Sequence, residues 1–356
     1  MIYTNEEMNL ITLCSFAELS YKTQFLLLGN LKTSEPDFIK NQRELIKTHG
    51  DGVYNKVKDN FNSHAYRTRV LKELDRRGIT CVTYFSESYP PLLKEIPLPP
   101  TVLFCKGNTE LLKTRCFSVV GSRRTTPPAI AECKKICSQL TQHFTVVTGT
   151  ADGADSAAIN GALPSGKLIA VLAYGFDYCY PSVNEGLLKK VEENGLLISE
   201  FIPTTKPAQY LFPVRNRVIA GMSEATLVVS AAKRSGALIT ANYATEYGRT
   251  TFAFPYSLGV VSGEGCNALI KKGGLLTENI LDIFGLFGLD FKEAKSQVLS
   301  ETERAVVEII REEGEGFVPE IAAKLGKMPF ELIPVLSALE IKGLIVRLGG
   351  NRYSAL

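Results

Sequence analysis

Phe117-Ser118-Val119-Val120-Gly121-Ser122-Arg123 leads into Pro127-Pro128 and a helical stretch to about Gln142, and then into Thr145-Val146-Val147-Thr148-Gly149. A β-branched run, a glycine turn, a helix opened by proline in its first turn and a second β-branched run form one β-α-β unit. The alternation continues toward the C-terminus through Leu168–Leu172 before Gly175, Leu196-Leu197-Ile198-Ser199, Thr226-Leu227-Val228-Val229 and Thr251-Phe252-Ala253-Phe254. Strands separated by helices imply right-handed crossovers and a parallel sheet covered on both faces.

The flanks read differently. Toward the N-terminus, apolar residues recur at helical spacing through Leu10–Leu19 and Phe25–Leu31, and a polar helix is expected from about Asn55 to Arg77, ending at Gly78. Residues 1–78 therefore read as a small helical domain. At the other end, Ser300-Glu301-Thr302-Glu303 pairs a serine N-cap with a glutamate three residues on. Helices are expected to about Glu312, over Val318–Leu325 and over Met328–Lys342. A β-wing follows in Gly343–Arg347 and Gly349–Tyr353. Residues 297–356 read as a winged-helix domain, and 79–290 as the α/β domain between the two.

The 356 residues leave room for two or three domains at roughly 150 residues each. Hydrophobic residues at 45% and charged residues at 22% exclude disorder as the main state. Forty basic side chains face 37 acidic ones, so nucleic-acid binding must come from a local cluster of cations rather than from bulk charge. No stretch approaches the about 20 apolar residues of a membrane span, and Met1–Glu7 lacks a signal-peptide pattern, which reads as cytoplasmic with no membrane partner. Eight cysteines without a C-x-x-C pair and three scattered histidines point to reduced, mostly buried thiols and to no metal site or cofactor.

Ligands of open α/β sheets bind beyond the carboxyl ends of the strands. Glycine turns gather there: Gly121 and Ser122, Gly149, Gly175, and Ser235-Gly236. Such turns let backbone N–H groups approach a phosphate. Cations accompany them in Arg123 and Arg124, in Arg215-Asn216-Arg217, and in Lys233-Arg234, with Arg249 ending the next helix. This set exceeds the needs of one nucleotide and fits a groove that tracks several phosphates. Tyr210, Phe212, Tyr243 and Tyr247 lie close in sequence, and bases stack on such rings in single-strand binders. No catalytic set can be assembled from the dispersed histidines. Asp155 is explained as well by helix capping as by acid–base chemistry.

Residues 81–280 resemble the DNA-processing protein A family, also called Smf. The resemblance rests on Tyr89-Pro90-Pro91-Leu92, Pro100-Thr101-Val102-Leu103-Phe104 with Gly107-Asn108, Val119-Val120-Gly121-Ser122-Arg123, Tyr180-Pro181, Ser199-Glu200, Phe212–Gly221, Ser235–Ala241 and Gly265–Ile270. The flanking helical (sterile-alpha-motif or helix-hairpin-helix-like) and winged-helix segments fit the longer members. The resemblance implies an extended Rossmann-like, doubly wound fold. It also implies a non-catalytic homodimer that binds single-stranded DNA, protects incoming strands and loads the RecA recombinase during natural transformation. The family's DNA-binding positions fall on Arg123, Arg215, Arg217 and Lys233 or Arg234. This sequence departs from the family pattern at Asp152, where an arginine is usual, at Ile159 in place of a histidine, and at Ser230 in place of a glutamate. The alternative is a nucleotide-binding enzyme of the phosphoribohydrolase type on the same fold. Those enzymes carry a catalytic glutamate in a Pro-Gly-Gly-x-Gly-Thr-x-x-Glu turn, whereas Ser235–Ala241 contains no carboxylate.

Overall fold

The computed structural model of the chain describes residues 3–28, 39, 42–292 and 299–355. The end of the expected Phe25–Leu31 helical stretch and the start of the 297–356 segment lie outside these residues.

Nine strands form one sheet: β1 (Thr80–Thr83), β2 (Val102–Gly107), β3 (Cys116–Val120), β4 (Thr145–Thr148), β5 (Leu168–Leu172), β6 (Leu196–Ser199), β7 (Ala225–Val228), β8 (Thr250–Ala253) and β9 (Leu275–Leu276), in the order β1-β2-β6-β5-β4-β3-β7-β8-β9. From β6 across to β9 every neighbouring pair is parallel. β2 runs antiparallel to β6, and β1 antiparallel to β2. The expected parallel strands are present, shifted by at most one residue. β1, β2 and β9 were not expected. β9 has only two residues, too few for a periodic signal. Every residue of β3, β4 and β5 is buried, as a sheet covered on both faces requires.

After β1 and β2 at one edge, the chain enters the parallel part of the sheet at β3, winds outward through β4 to β6, and returns to the other side of β3 with β7. The strand order reverses between β3 and β7, and a crevice opens above their carboxyl ends.

Helices Asn5–Cys14, Tyr21–Leu28, Arg43–Lys47, Asp51–Phe61 and His64–Arg76 surround a core that includes Leu10, Leu13, Phe16, Leu27 and Val57. This core continues into Cys81, Val102 and Phe104 of β1 and β2. The single polar helix expected over Asn55–Arg77 is two helices. Ser63 interrupts it, because its hydroxyl accepts the Tyr66 N–H at 3.3 Å and so caps a new helix.

Near the C-terminus, helices Glu301–Glu313, Val318–Lys324 and Pro329–Ile341 pack on a three-stranded sheet of β10 (Gly316–Phe317), β11 (Ile345–Gly349) and β12 (Arg352–Ala355), ordered β10-β12-β11. They have their own core, with Val306, Ile310, Ile321, Leu336 and Ile345 buried. The expected capping box is formed: Glu303 N–H donates to Ser300 Oγ at 3.2 Å, and Ser300 N–H to Glu303 Oε2 at 2.8 Å.

All eight cysteines are free thiols, and only Cys179 escapes full burial. Among the described residues, no group of His, Cys, Asp and Glu could hold a metal ion, and no helix is long and apolar enough to cross a membrane.

Candidate nucleic-acid interface

The crevice above β3 and β7 is a cavity of about 440 Å³. Eight of the expected residues line it: Gly121, Ser122, Arg123, Arg124, Arg215, Asn216, Ser235 and Gly236. Val120, Ala151, Asp155, Phe212, Ile219, Ala237 and Thr240 complete the wall. Helix Leu211–Gly221 supplies one side. Its cavity-lining residues 212, 215, 216 and 219 recur at the three- and four-residue spacing of a single helix face.

Arg123 is exposed at the mouth. Its guanidinium carbon lies 5.8 Å from the centre of the Tyr180 ring and 5.6 Å from that of Phe212. The two rings meet edge to face at 5.8 Å. No carboxylate pairs with Arg123 among the described residues. Asp152, a carboxylate with which it could have paired, is exposed and forms no ion pair with it. A cation set against two rings and outside any direct ion pair suits a phosphate beside a stacked base, while Asp155 in the cavity wall feels its charge without pairing with it.

Arg215 plays a different part. It is 5% exposed, with Nε donating to Asn216 Oδ1 at 3.1 Å and a terminal nitrogen donating to the Val171 carbonyl. Asp155 is equally buried beside it and accepts the Ala151 N–H at 3.2 Å. Burial pushes the Asp155 carboxyl above the ordinary carboxylate range, and the Arg215 charge works against that rise. Burial likewise pulls the Arg215 guanidinium down, while Asp155 lifts it. Gly149 lies directly against the pair. A Cβ there would stand 2.2 Å from Asp155 Oδ2 and 2.6 Å from an Arg215 terminal nitrogen, so only glycine leaves room. Gly149 thus supports the site from behind and does not line it.

The Ser122 half of the backbone cradle expected at Gly121-Ser122 is already occupied. Ser122 N–H donates to the Ser230 carbonyl at 2.8 Å and approaches Ser230 Oγ at 3.2 Å. Ser230, a departure from the family pattern, also bonds Thr125 Oγ1 at 2.7 Å and fixes this loop.

Four expected cations stand elsewhere. Arg217 projects from the other side of its helix, two residues and thus about 200° from Arg215. Its side chain is 5% exposed and paired with Glu200, donates to the Leu98 carbonyl, and lies 4.8 Å from the Tyr21 ring. Burial raises the Glu200 carboxyl, opposed by Arg217. Lys233 and Arg234 are exposed outside the cavity, Lys233 at 3.9 Å from Glu264. Arg249, at the far end of helix Ala237–Glu246, binds Glu95 at 2.5 Å. Tyr243 and Tyr247 stack on each other, with centres 5.9 Å apart, and do not line the cavity. The residue types around Tyr180 gave no sign of its place beside Arg123. The Tyr180-Pro181 motif marked the segment without giving its role.

The model of the family described as DNA recombination-mediator protein A matches residues 80–288. The chain is 39% identical over 202 residues to DNA processing protein DprA of Streptococcus pneumoniae, covering 56% of this chain and 72% of that one. The X-ray structure of DNA processing protein A from Streptococcus pneumoniae superposes with a TM-score of 0.68 at 30% identity, over 82% of this chain and 100% of that one. A structure of DNA processing protein A from Helicobacter pylori, reported for its single-stranded DNA binding mode, gives a TM-score of 0.55 at 27% identity, over 60% of this chain and 97% of that one. By the family model and by these relatives, this chain belongs to the DNA recombination-mediator protein A family.

Proposed function

We propose that the protein is a non-catalytic, homodimeric binder of single-stranded DNA that protects incoming strands and loads RecA onto them during natural transformation. The observation that carries this reading is the unpaired, exposed Arg123 between Tyr180 and Phe212, at the mouth of a cavity that also gathers Arg124, Asn216 and the Ser235-Gly236 turn. Exposed guanidinium groups neutralise phosphates, and the flanking rings offer stacking faces to unpaired bases. The single-strand binding mode of the Helicobacter pylori relative supports the same polymer. In this reading residues 79–290 are the DNA-binding domain, extended Rossmann-like in type. Residues 1–78 are a helical domain, and 297–356 a winged-helix domain that contacts protein rather than base edges. Arg217 contributes through the fold, and Lys233 and Arg234 extend the phosphate path outside the cavity.

Titration with labelled oligo-dT and a duplex of equal length at several salt concentrations tests the binding. Tighter single-strand binding, with affinity falling as salt rises, is the expected result. Equal or stronger duplex binding would move DNA contact to the C-terminal domain. RecA loading is tested by the rate of RecA filament growth on a strand with and without the protein.

The enzyme alternative finds one point in its favour, since Asp155 lines the cavity. That carboxylate is 5% exposed, accepts the Ala151 N–H and faces the charge of Arg215, which suits a structural counter-charge. Release of free base from nucleoside monophosphates, above a heat-killed control, would revive the alternative.

A further inference from the structure

Helix His64–Arg76 closes with Arg77 as its C-cap, and Gly78 at φ +65° turns the chain away into β1. The Arg77 side chain is thereby set at the edge of the N-terminal bundle, facing the loop that follows β5. Nε donates to Asp177 Oδ1 at 2.8 Å and a terminal nitrogen to Oδ2 at 3.0 Å, a two-pronged pair whose side chains are 19% and 33% exposed. The other terminal nitrogen reaches the Glu73 carboxylate and its carbonyl, so the guanidinium is held from both sides. This bond keeps the Asp177 carboxyl below its ordinary range.

The Asp177 loop is tied to the loop after β6. Asp177 N–H donates to the Pro203 carbonyl and Gly175 N–H to that of Thr205, both at 2.9 Å. The loops approach so closely that a Cβ on Gly175 would stand 2.0 Å from the Ile202 carbonyl oxygen. Phe176 from one loop and Ile202 from the other pack against the core of the N-terminal bundle. Both loops therefore rest on the bundle. The first leads to Tyr180, and the second runs directly into helix Leu211–Gly221 with Phe212, Arg215 and Asn216. On the opposite side of that helix, Arg217 meets Tyr21 of the same bundle. Neither Arg77 nor Asp177 lines the cavity.

We infer that the N-terminal helical bundle holds the strand-binding site in shape, with Arg77 and Asp177 as positioning residues that fix the loop bearing Tyr180. The inference rests on the single-strand reading above. Loops are the softest part of an α/β scaffold, and a two-pronged ion pair to a packed helix end restrains one at its midpoint. Without it, Tyr180 loses its fixed distance from Arg123 and Phe212, and the mouth of the site becomes variable.

The test uses the full-length protein, labelled oligo-dT over a range of salt, and amide hydrogen exchange on Arg77→Ala, Arg77→Lys, Asp177→Asn, the Arg77→Ala/Asp177→Asn double variant and Arg123→Ala. Arg77→Ala and Asp177→Asn are each expected to weaken binding by about two- to fivefold, the range of a partly exposed ion pair, with an unchanged salt slope. The double variant should be no worse than either single one, since both remove one shared interaction. Arg77→Lys should recover part of the loss. Exchange at residues 175–181 should quicken in each weakened variant while the rest of the sheet stays protected. If Asp177→Asn instead tightens binding and Arg77→Ala lowers the salt slope, Arg77 is a phosphate contact and the inference falls. Unchanged exchange at 175–181 also overturns it, whatever the affinity does. Failure of the underlying reading shows separately, as an Arg123→Ala protein that binds as well as the wild type.

Discussion

Replacing Arg123 by alanine separates binding from folding, because the structure gives this side chain almost nothing to do for stability. It is exposed and has no ion pair among the described residues, and its contacts are two rings at 5.6 and 5.8 Å. An exposed cation–ring contact is worth about 0.5–1 kcal/mol. Two such contacts total about 1–2 kcal/mol, which for a domain of this size lowers the melting temperature by about 8 °C at most. A charge-assisted contact to phosphate at about 1.5 kcal/mol corresponds to roughly a tenfold weaker complex. The salt slope should fall by about 0.7, the counterion yield of one phosphate contact on a single strand. The loss should be equal for all sequences, since phosphates carry no base information. Arg215→Ala is the contrasting control. It removes the bonds to Asn216 and the Val171 carbonyl and the larger of the charges that offset the burial of Asp155, which should cost about 1–3 kcal/mol and lower the melting temperature. Fluorescence anisotropy with oligo-dT at four salt concentrations, beside thermal melts, measures both variants. Unchanged affinity and slope in Arg123→Ala would refute the reasoning.

Gly149→Ala forces a methyl group against Asp155 and Arg215 and should cost about 1–3 kcal/mol, read as a lower urea midpoint with the cavity wall displaced. The Asp177 carboxyl is held below its unfolded value, so its contribution is present above that value and lost as pH falls through the depressed one. The unfolding free energy from urea titration should therefore fall less between pH 7 and pH 3 in Asp177→Asn than in the wild type, by less than about 1 kcal/mol for so exposed a pair. A chain ending before residue 297 should bind oligo-dT within about threefold of the full protein, because the removed part has its own core and lies outside the cavity; a tenfold loss would give the C-terminal domain a part in DNA binding.

Features that depend on near neighbours were legible before folding was considered. Alternating β-branched runs and helices specified a parallel sheet, since burial of both faces needs continuous apolar strands such as Leu168–Leu172. Ser300 and Glu303 announced a helix start that forms as spaced, because a capping box is closed within one turn. The glycine turns with Arg123, Arg215, Asn216 and Ser235-Gly236 marked the rim, because chain reversal places every strand end of a parallel sheet on one side. Helical spacing also held a distinction that composition hides: Arg215 and Arg217 cannot share a face. Tertiary structure decided the rest, since it depends on pairs distant in sequence. Ser230 took the Ser122 N–H that a phosphate would need, across 108 positions. Glu200 drew Arg217 inward, and Asp177 met Arg77 across 100 positions. Whether a cation faces water or a buried carboxylate is set by which distant segment packs beside it, and local sequence carries no record of that choice.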